Sequence, residues 1–262
     1  MEVVGRLRQG GPALVALSGG VDSSLVAALA VDALGASARA ATLAGPAVAR
    51  TEVERARRVA DYLGIAHDVL RVDPVEDPEY RANPNDRCYY CRRLETGVLR
   101  TFGAPRGMRQ FLDGVHLDDL SDVRPGLRAM DEAGFVHPLV WARWTKADVR
   151  DAAHRRGLPN WDEPSDACLA SRVAHGEPIS HELLERIDAA ETLVRARGFR
   201  RVRVRVRGGA ARIEVDPGEV ARLSAEPLAE EITEEVRRVG FERVTIDPLG
   251  YGRTHRSELR VL

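Results

Sequence analysis

Residues 13–24 read Ala-Leu-Val-Ala-Leu-Ser-Gly-Gly-Val-Asp-Ser-Ser, and this stretch restricts the fold more than any other part of the chain. The apolar run Ala13–Leu17 has the length and bounds of a buried strand. The run Leu25–Leu34 follows closely and is long enough for a buried helix. Between them Ser18-Gly19-Gly20-Val21-Asp22-Ser23-Ser24 makes a turn rich in glycine and hydroxyls. Gly19 and Gly20 permit close backbone approach and unusual dihedrals. Free amides and the positive end of a helix dipole at such a turn attract an anion, phosphate above all. The loop contains no lysine, so it is not a Walker A loop. The plainer reading is an ordinary strand-to-helix turn capped by Ser or Asp.

The alternation continues through the first two-thirds of the chain. Strands are predicted at Ala13–Leu17, Ala38–Leu43, His67–Arg71 and Gln110–Asp113, and helices at Ser24–Leu34, Glu52–Leu63, Tyr89–Arg100 and Lys146–Arg156. That rhythm implies an α/β fold with a doubly wound parallel sheet. Gly64 and Gly157 fall where helix C-caps belong, and Thr145 with Asp148 suits a capping box. Such sheets bind ligands beyond the C-terminal strand ends. The turn after Leu17 and the segments after Leu43 and Asp113 should therefore face one crevice. Asp113, Asp118 and Asp119 then lie near a bound phosphate, or form a solvated acidic loop.

From Pro178 the pattern changes, which divides the chain into a domain of residues 1–177 and a smaller α+β domain of residues 178–262. The second reads as helix Ile179–Arg197, strand Arg201–Arg207, strand Ala211–Val215, helices Pro217–Leu223 and Leu228–Val239, and strand Arg243–Ile246. Along Arg201–Arg207 arginine and valine alternate, so every Arg shares one face and every Val the other. The Val face should pack on helices. The Arg face meets solvent, carboxylates or a phosphorylated ligand.

With 262 residues, 44% hydrophobic and 30% charged, the composition is that of a soluble globular protein. A net charge of −1 argues against a general nucleic-acid binder. No apolar run spans a bilayer and the N-terminus lacks a signal peptide's apolar core, so a cytoplasmic location is expected. The basic residues are almost all arginine, Lys146 being the sole lysine, a skew that GC-rich codon usage explains. The cysteines are Cys88, Cys91 and Cys168, an odd count that does not suggest a disulfide framework. Four readings of them compete: a zinc site completed by a histidine such as His175 or His181, a redox CxxC pair, unconnected core thiols, and a three-cysteine iron–sulfur cluster with one open iron. Spacing alone does not select the cluster.

The loop at residues 18–23 resembles the PP-loop of ATP pyrophosphatases, Ser-Gly-Gly-x-Asp-Ser. That resemblance implies an adenine nucleotide alpha hydrolase-like fold. It also implies that Ser18, Gly19, Gly20, Ser23 and Ser24 cradle pyrophosphate while Asp22 helps hold Mg2+. Enzymes of this kind cleave ATP between the α- and β-phosphates, adenylate an oxygen, and let a nucleophile displace AMP.

Further motifs resemble the LarE family: Asn83-Pro84-Asn85-Asp86-Arg87-Cys88-Tyr89-Tyr90-Cys91, Asp113-Gly114 with Asp118-Asp119, Arg124-Pro125-Gly126-Leu127-Arg128-Ala129, Gly157-Leu158-Pro159-Asn160-Trp161-Asp162-Glu163-Pro164, Ala167-Cys168-Leu169-Ala170-Ser171-Arg172, Arg201-Val202-Arg203 and Ala211-Arg212-Ile213-Glu214-Val215. The ending Tyr251-Gly252-Arg253-Thr254 follows the family only loosely. LarE enzymes are ATP-dependent sulfurtransferases of nickel-pincer nucleotide synthesis, the cofactor needed in lactate racemase maturation. The resemblance implies adenylation of the carboxylates of pyridinium-3,5-biscarboxylic acid mononucleotide, with AMP then replaced by sulfur to give thiocarboxylates. In one subgroup the cysteine of the Ala-Cys-Leu-x-Ser-Arg segment gives up its sulfur; in the other, that cysteine and a CxxC pair bind a 4Fe–4S cluster. Carrying all three cysteines, the chain resembles the second. Cys88, Cys91, Cys168, Asp22, Ser171 and Arg172 are then implied as catalytic, Arg172 with Arg203 or Arg205 as the grip on the mononucleotide phosphate, and Asp22, Asp119 and Glu214 as Mg2+ ligands. Glu214 is alternatively an orienting carboxylate, and for each of these residues a structural salt bridge is the competing role. A homo-oligomer also follows from the resemblance, while the charge and the lack of a spanning apolar run lead to no nucleic-acid and no membrane partner being expected.

Three other functions compete. An amidating enzyme like NAD or GMP synthetase has no use for the cysteines and needs a source of ammonia. A tRNA-thiolating PP-loop enzyme should carry a basic RNA-binding region. A non-catalytic nucleotide- or metal-binding module would turn over no ATP.

Overall fold

The computed structural model describes residues 2–121, 124–164 and 167–252, in two compact units divided between Asp166 and Ala167. The first unit runs α1 (Glu2–Gly10), β1 (Ala13–Ala16), α2 (Val21–Leu34), β2 (Ala38–Ala44), α3 (Arg50–Leu63), β3 (Ala66–Arg71), α4 (Pro78–Arg81), α5 (Arg87–Gly103), β4 (Gln110–Leu112), α6 (Pro125–Glu132), α7 (Pro138–Trp141) and α8 (Lys146–Arg155). Its four strands are all parallel and lie in the order β3-β2-β1-β4. The chain moves outward from β1 to β3, then returns to place β4 on the other side of β1. The switch point therefore lies between β1 and β4, where open α/β sheets bind ligands.

Alternation along β1 supplies both cores. Ala13 and Val15 face a cluster with Leu7 of α1, Leu25 and Leu29 of α2, Val59 of α3 and Val149 of α8. Leu14 faces the opposite cluster with Leu99 of α5, Phe111 of β4, Met130 and Phe135. α2 is apolar on almost every side and is buried nearly all round, as a helix without a polar face must be. α3 ends on Gly64 in the left-handed region, φ 61°, whose amide reaches the carbonyls of Ala60 and Asp61. α8 opens on the Thr145–Asp148 capping box.

α1 was not expected from sequence. Gly5 and its short length weaken its intrinsic helicity, and it is held by burying Val3 and Leu7 against α2. α5 starts two residues earlier than predicted, which puts Cys88 in its first turn. α6 follows Pro125 at its first position, where a missing N–H does no harm.

The second unit contains α9 (His181–Ala196), β5 (Val202–Arg207), β6 (Ala210–Val215), α10 (Val220–Leu223), α11 (Leu228–Arg238) and β7 (Arg243–Ile246). β5 and β6 are antiparallel; β7 adds parallel to β6. α9 and α11 pack on each other, α9 against β5 and α11 against β7. The predicted helix Pro217–Leu223 divides into a 3-10 turn, Pro217–Glu219, and the short α10. Val202, Val204 and Val206 are buried, as the alternation requires. The arginine side of β5 is only partly solvated: Arg207 is exposed and Arg205 half-buried. Arg203 is 1% exposed and Glu214, its cross-strand partner, 0%. Arg205 and Arg212 approach Glu214 at 3.2 and 3.5 Å, and Arg212 approaches Asp247 at 3.3 Å. Tyr251 lies beneath the guanidinium groups of Arg201 and Arg203. The tail from Arg253 onward lies outside the described residues.

Candidate functional site

The glycine loop leaves β1 at the switch point. Leu17 N–H donates to Ala41 O at 2.9 Å, and Thr42 Oγ1 donates to Leu17 O at 2.6 Å. Because the Thr42 proton is used there, His67 Nε2 donates to Thr42 Oγ1 at 2.7 Å. Burial lowers the His67 pKa, which suits this neutral donor. Gly19 takes φ +80°, and an added Cβ would lie 2.8 Å from both Ala56 N and Glu52 O of α3. Glycine is thus required there for conformation and space.

Gly20 is the N-cap of α2, and no side chain caps that helix. Ser23 and Ser24 instead donate back to Gly20 O at 3.0 and 2.8 Å, and Ser23 Oγ also accepts from Ser18 N at 3.2 Å. The Ser-or-Asp cap of the plainer reading is therefore not what forms. The first amides of α2 are left without side-chain partners at the positive end of a helix dipole, the arrangement that holds phosphate. The residues present thus fit a pyrophosphate group.

Asn160 locks the loop from outside. It is 2% exposed, and its Nδ2 donates to Gly19 O at 2.7 Å and to Ser24 Oγ at 2.9 Å. Gly114, after β4, packs so closely on the start of α2 that an added Cβ would stand 2.7 Å from Ser23 N.

Asp22 projects from the first turn of α2, and both its oxygens accept from Lys146 Nζ, at 2.6 and 2.5 Å. His116 Nε2 lies 3.9 Å from Asp22 and 3.5 Å from Asp119. Asp119 also accepts from Arg124 and from the His116 amide. Asp118 accepts from the Lys146 amide at 2.8 Å. Asp113 is held by His137 Nδ1 at 2.8 Å, while His137 Nε2 meets Asp131 at 2.9 Å. Burial pushes the His137 imidazole down, but the hydrogen bonds and charges of these two carboxylates overcome it and raise its pKa to about 9. His116 Nδ1 and Asp113 Oδ2 are buried with no hydrogen-bond partner among the described residues.

Cys88 and Cys91 are in no disulfide and stand one turn apart at the start of α5, Cys88 exposed and Cys91 partly so, with Cys91 Sγ donating to Glu95 Oε1 at 3.4 Å. Gly126 packs closely on the start of α5: an added Cβ would lie 3.4 Å from Cys88 O and 3.5 Å from Cys88 Cβ. Within each unit, no three His, Cys, Asp or Glu side chains among the described residues already converge as they would on a metal ion.

In the second unit Cys168, partly exposed and in no disulfide, heads the 3-10 turn Leu169–Arg172. Arg172 is 2% exposed. Its Nε and Nη2 donate to Glu191 at 2.7 and 2.9 Å, and its Nη1 to Ala167 O, Cys168 O and Ser171 Oγ. Arg205 Nη1 donates to Ser171 O at 2.8 Å. Two arginines thus fasten the Cys168–Ser171 turn.

Sequence reasoning missed Lys146, Asn160, His116 and His137 as parts of the site. The signal for Lys146 was its being the sole lysine; Asn160 stood inside a quoted motif without a role; the two histidines gave no signal.

A parallel sheet that carries Ser-Gly-Gly-Val-Asp-Ser at its switch point, ahead of a helix with uncapped amides, defines an ATP pyrophosphatase of the PP-loop class. The asparagine synthase family profile matches residues 2–84. The chain is 39% identical over 239 residues to an uncharacterised protein of Synechocystis, covering 91% of this chain and 89% of the relative. It is 32% identical over 238 residues to the pyridinium-3,5-bisthiocarboxylic acid mononucleotide synthase of Lactiplantibacillus plantarum, covering 90% and 86%. A tRNA-specific 2-thiouridylase of Desulforamulus reducens is 28% identical over 191 residues, covering 58% of this chain and 52% of the relative. The chain belongs to the LarE family, and is an ATP-using sulfurtransferase of the pyrophosphatase type. No helix among the described residues is long and apolar enough to cross a membrane.

Proposed function

We propose that the chain adenylates the two carboxylates of pyridinium-3,5-biscarboxylic acid mononucleotide in turn and replaces each AMP with sulfur. The observation that carries this reading is the uncapped Gly19–Ser24 loop at the switch point of a chain similar over nearly its whole length to the Lactiplantibacillus synthase. A carboxylate is a poor electrophile because it lacks a good leaving group. Its oxygen attacks the α-phosphorus of ATP and pyrophosphate leaves, held by the α2 amides and the hydroxyls of Ser18, Ser23 and Ser24. Mg2+ held by Asp22 and Asp119 would neutralise the departing charge; Glu214 is the third proposed ligand, although its carboxylate is engaged by Arg205 and Arg212. Sulfur then attacks the acyl carbon and AMP departs.

A 4Fe–4S cluster held by Cys88, Cys91 and Cys168 would supply that sulfur as a sulfide on its open iron. Arg172 acts as a positioning residue, fixing the carbonyls on either side of Cys168, with Ser171 in the same turn. Of Arg203 and Arg205, Arg205 is the proposed phosphate grip, since Arg203 is buried against Tyr251. On this reading residues 1–177 activate the substrate, residues 178–262 help hold it, and the protein is a cytoplasmic homo-oligomer acting on a small molecule rather than on nucleic acid or membrane.

The test is anaerobic iron and sulfide analysis, joined to mass spectrometry of products formed from ATP and the biscarboxylate mononucleotide. Brown protein with labile sulfide and a thiocarboxylate product are expected. Colourless protein holding one zinc after anaerobic reconstitution would overturn the cluster, and sulfur delivered to tRNA instead would overturn the substrate.

A further inference from the structure

We propose that Lys146 makes metal binding at Asp22 conditional on nucleotide: its ammonium neutralises Asp22 in the free protein and moves to the triphosphate when ATP arrives, opening the carboxylate to a divalent cation. The inference rests on the PP-loop reading of residues 18–24.

Lys146 Nζ engages both Asp22 oxygens, and the two side chains are 27% and 25% exposed, so the pair stands where solvent and ligands reach it. The base of the lysine is fixed by its backbone, while its head is held by the Asp22 carboxylate. Its amide donates to Asp118 Oδ2 at 2.8 Å, and it opens a helix held by the Thr145–Asp148 box. A four-carbon stem on that anchor lets the ammonium exchange partners without moving α8. Subtracting the one lysine from 39 basic residues leaves 38 arginines, so this position departs from the chain's near-uniform choice. The chemistry explains the departure. A guanidinium would grip Asp22 in a rigid two-pronged pair, whereas an ammonium is a compact charge on a flexible stem.

The surrounding charges point the same way. Asp119 is engaged by Arg124 and the His116 amide, Asp118 by the Lys146 amide, and His116 stands between Asp22 and Asp119. A free divalent cation arriving alone meets a carboxylate already neutralised and an ammonium that repels it. A metal–ATP complex brings its own negative charge to the α2 amides beside Asp22 and offers Lys146 a better partner. Nucleotide and metal are then coupled, and the coupling is reciprocal.

The experiment measures Mn2+ binding by the electron paramagnetic resonance of the free ion, with full-length protein, with and without α,β-methylene-ATP, which resists cleavage at the reacting bond. Wild type should bind Mn2+ about tenfold or more tightly with the nucleotide than alone. Lys146→Met should bind Mn2+ alone at least about fivefold more tightly than wild type does. Asp22→Asn added to that variant should abolish the gain, assigning it to this carboxylate. Lys146→Arg should keep Mn2+ excluded and should also weaken its uptake with nucleotide. Equal Mn2+ affinity with and without nucleotide in wild type, or no gain in Lys146→Met, overturns the proposal. Nucleotide binding is followed separately by calorimetry. Failure of wild type to bind the nucleotide overturns the PP-loop reading itself, whereas normal nucleotide binding with no effect of Lys146 on Mn2+ overturns only the conditional site.

Discussion

Replacing Asn160 by alanine removes the clamp on the nucleotide loop, and the structure sets the size of the effect. Two hydrogen bonds are lost, each worth about 0.5–1.5 kcal/mol net. The larger consequence is that Gly19 O loses its buried donor, which costs about 1–3 kcal/mol. Ser24 Oγ keeps its bond to Gly20 O, and Asn160 Oδ1, itself buried without a partner, relieves part of the loss when it goes. A net destabilisation of about 2 kcal/mol remains, a fall of roughly 4–8 °C in melting temperature for a chain of this size. Because phosphate binding needs the Gly19 backbone in its present conformation, affinity for α,β-methylene-ATP should weaken about tenfold, equivalent to about 1.4 kcal/mol. Asn160→Asp sharpens the test. The side chain keeps its shape, but a carboxylate then faces Gly19 O, acceptor against acceptor, and adds negative charge beside the phosphate site. Affinity should fall further than in Asn160→Ala. Calorimetric titration measures the binding and a thermal melt the stability. Wild-type affinity in Asn160→Asp would refute the claim that Asn160 holds the loop.

Glu191 accepts from Arg172, Arg195 and the Val204 amide and is 0% exposed; Glu191→Ala should lower the stability of the second unit by about 3–5 kcal/mol, and a urea-melt loss under about 1 kcal/mol would contradict the buried pairing. His137 has a folded pKa of about 9 against an ordinary 6.5, so the stability it adds is fully present below 6.5 and is lost as pH rises through about 9. Thermal melts of wild type and His137→Gln should therefore differ at about pH 6 and converge above about pH 9; a constant gap would refute the charge on His137. Gly114→Ala drives a methyl to 2.7 Å from Ser23 N and 2.9 Å from Asp22 C, and backbone cannot give way cheaply. Overpacking of about 1–3 kcal/mol at the start of α2 should reduce pyrophosphate release about tenfold or more, and an unchanged rate would show that this turn is not at the reacting phosphates.

The architecture around the loop was legible because it rests on local patterns. Ala13–Leu17 and Leu25–Leu34 are apolar without interruption, so strand, turn and helix followed from run length and glycine placement. The Thr145–Asp148 box and the Gly64 cap were local in the same way. The clamps were not. Lys146 meets Asp22 across 124 positions and Asn160 meets Gly19 across 141, and such polar pairings leave no periodic trace. Alternation in Val202–Arg207 correctly sorted the side chains into two faces, but it carries no information about what covers each face. Carboxylates from β6 and the segment after β7 cover it, and only the fold brings those strands together.

That partly covered arginine face has a consequence for how the sequence can drift over generations. Arg205, Arg212, Glu214 and Asp247 satisfy one another inside the second unit, as Arg172, Arg195 and Glu191 do beside them. Losing Glu191 strands the Arg172 guanidinium, 1% exposed, away from water, a heavier penalty than replacing the whole set with apolar residues. Single-step neutral paths through Glu191 are therefore closed, and change there has to come in matched sets. Among descendants of this chain these residues should be inherited as blocks, kept together or exchanged together, even where the surface around them has been rewritten.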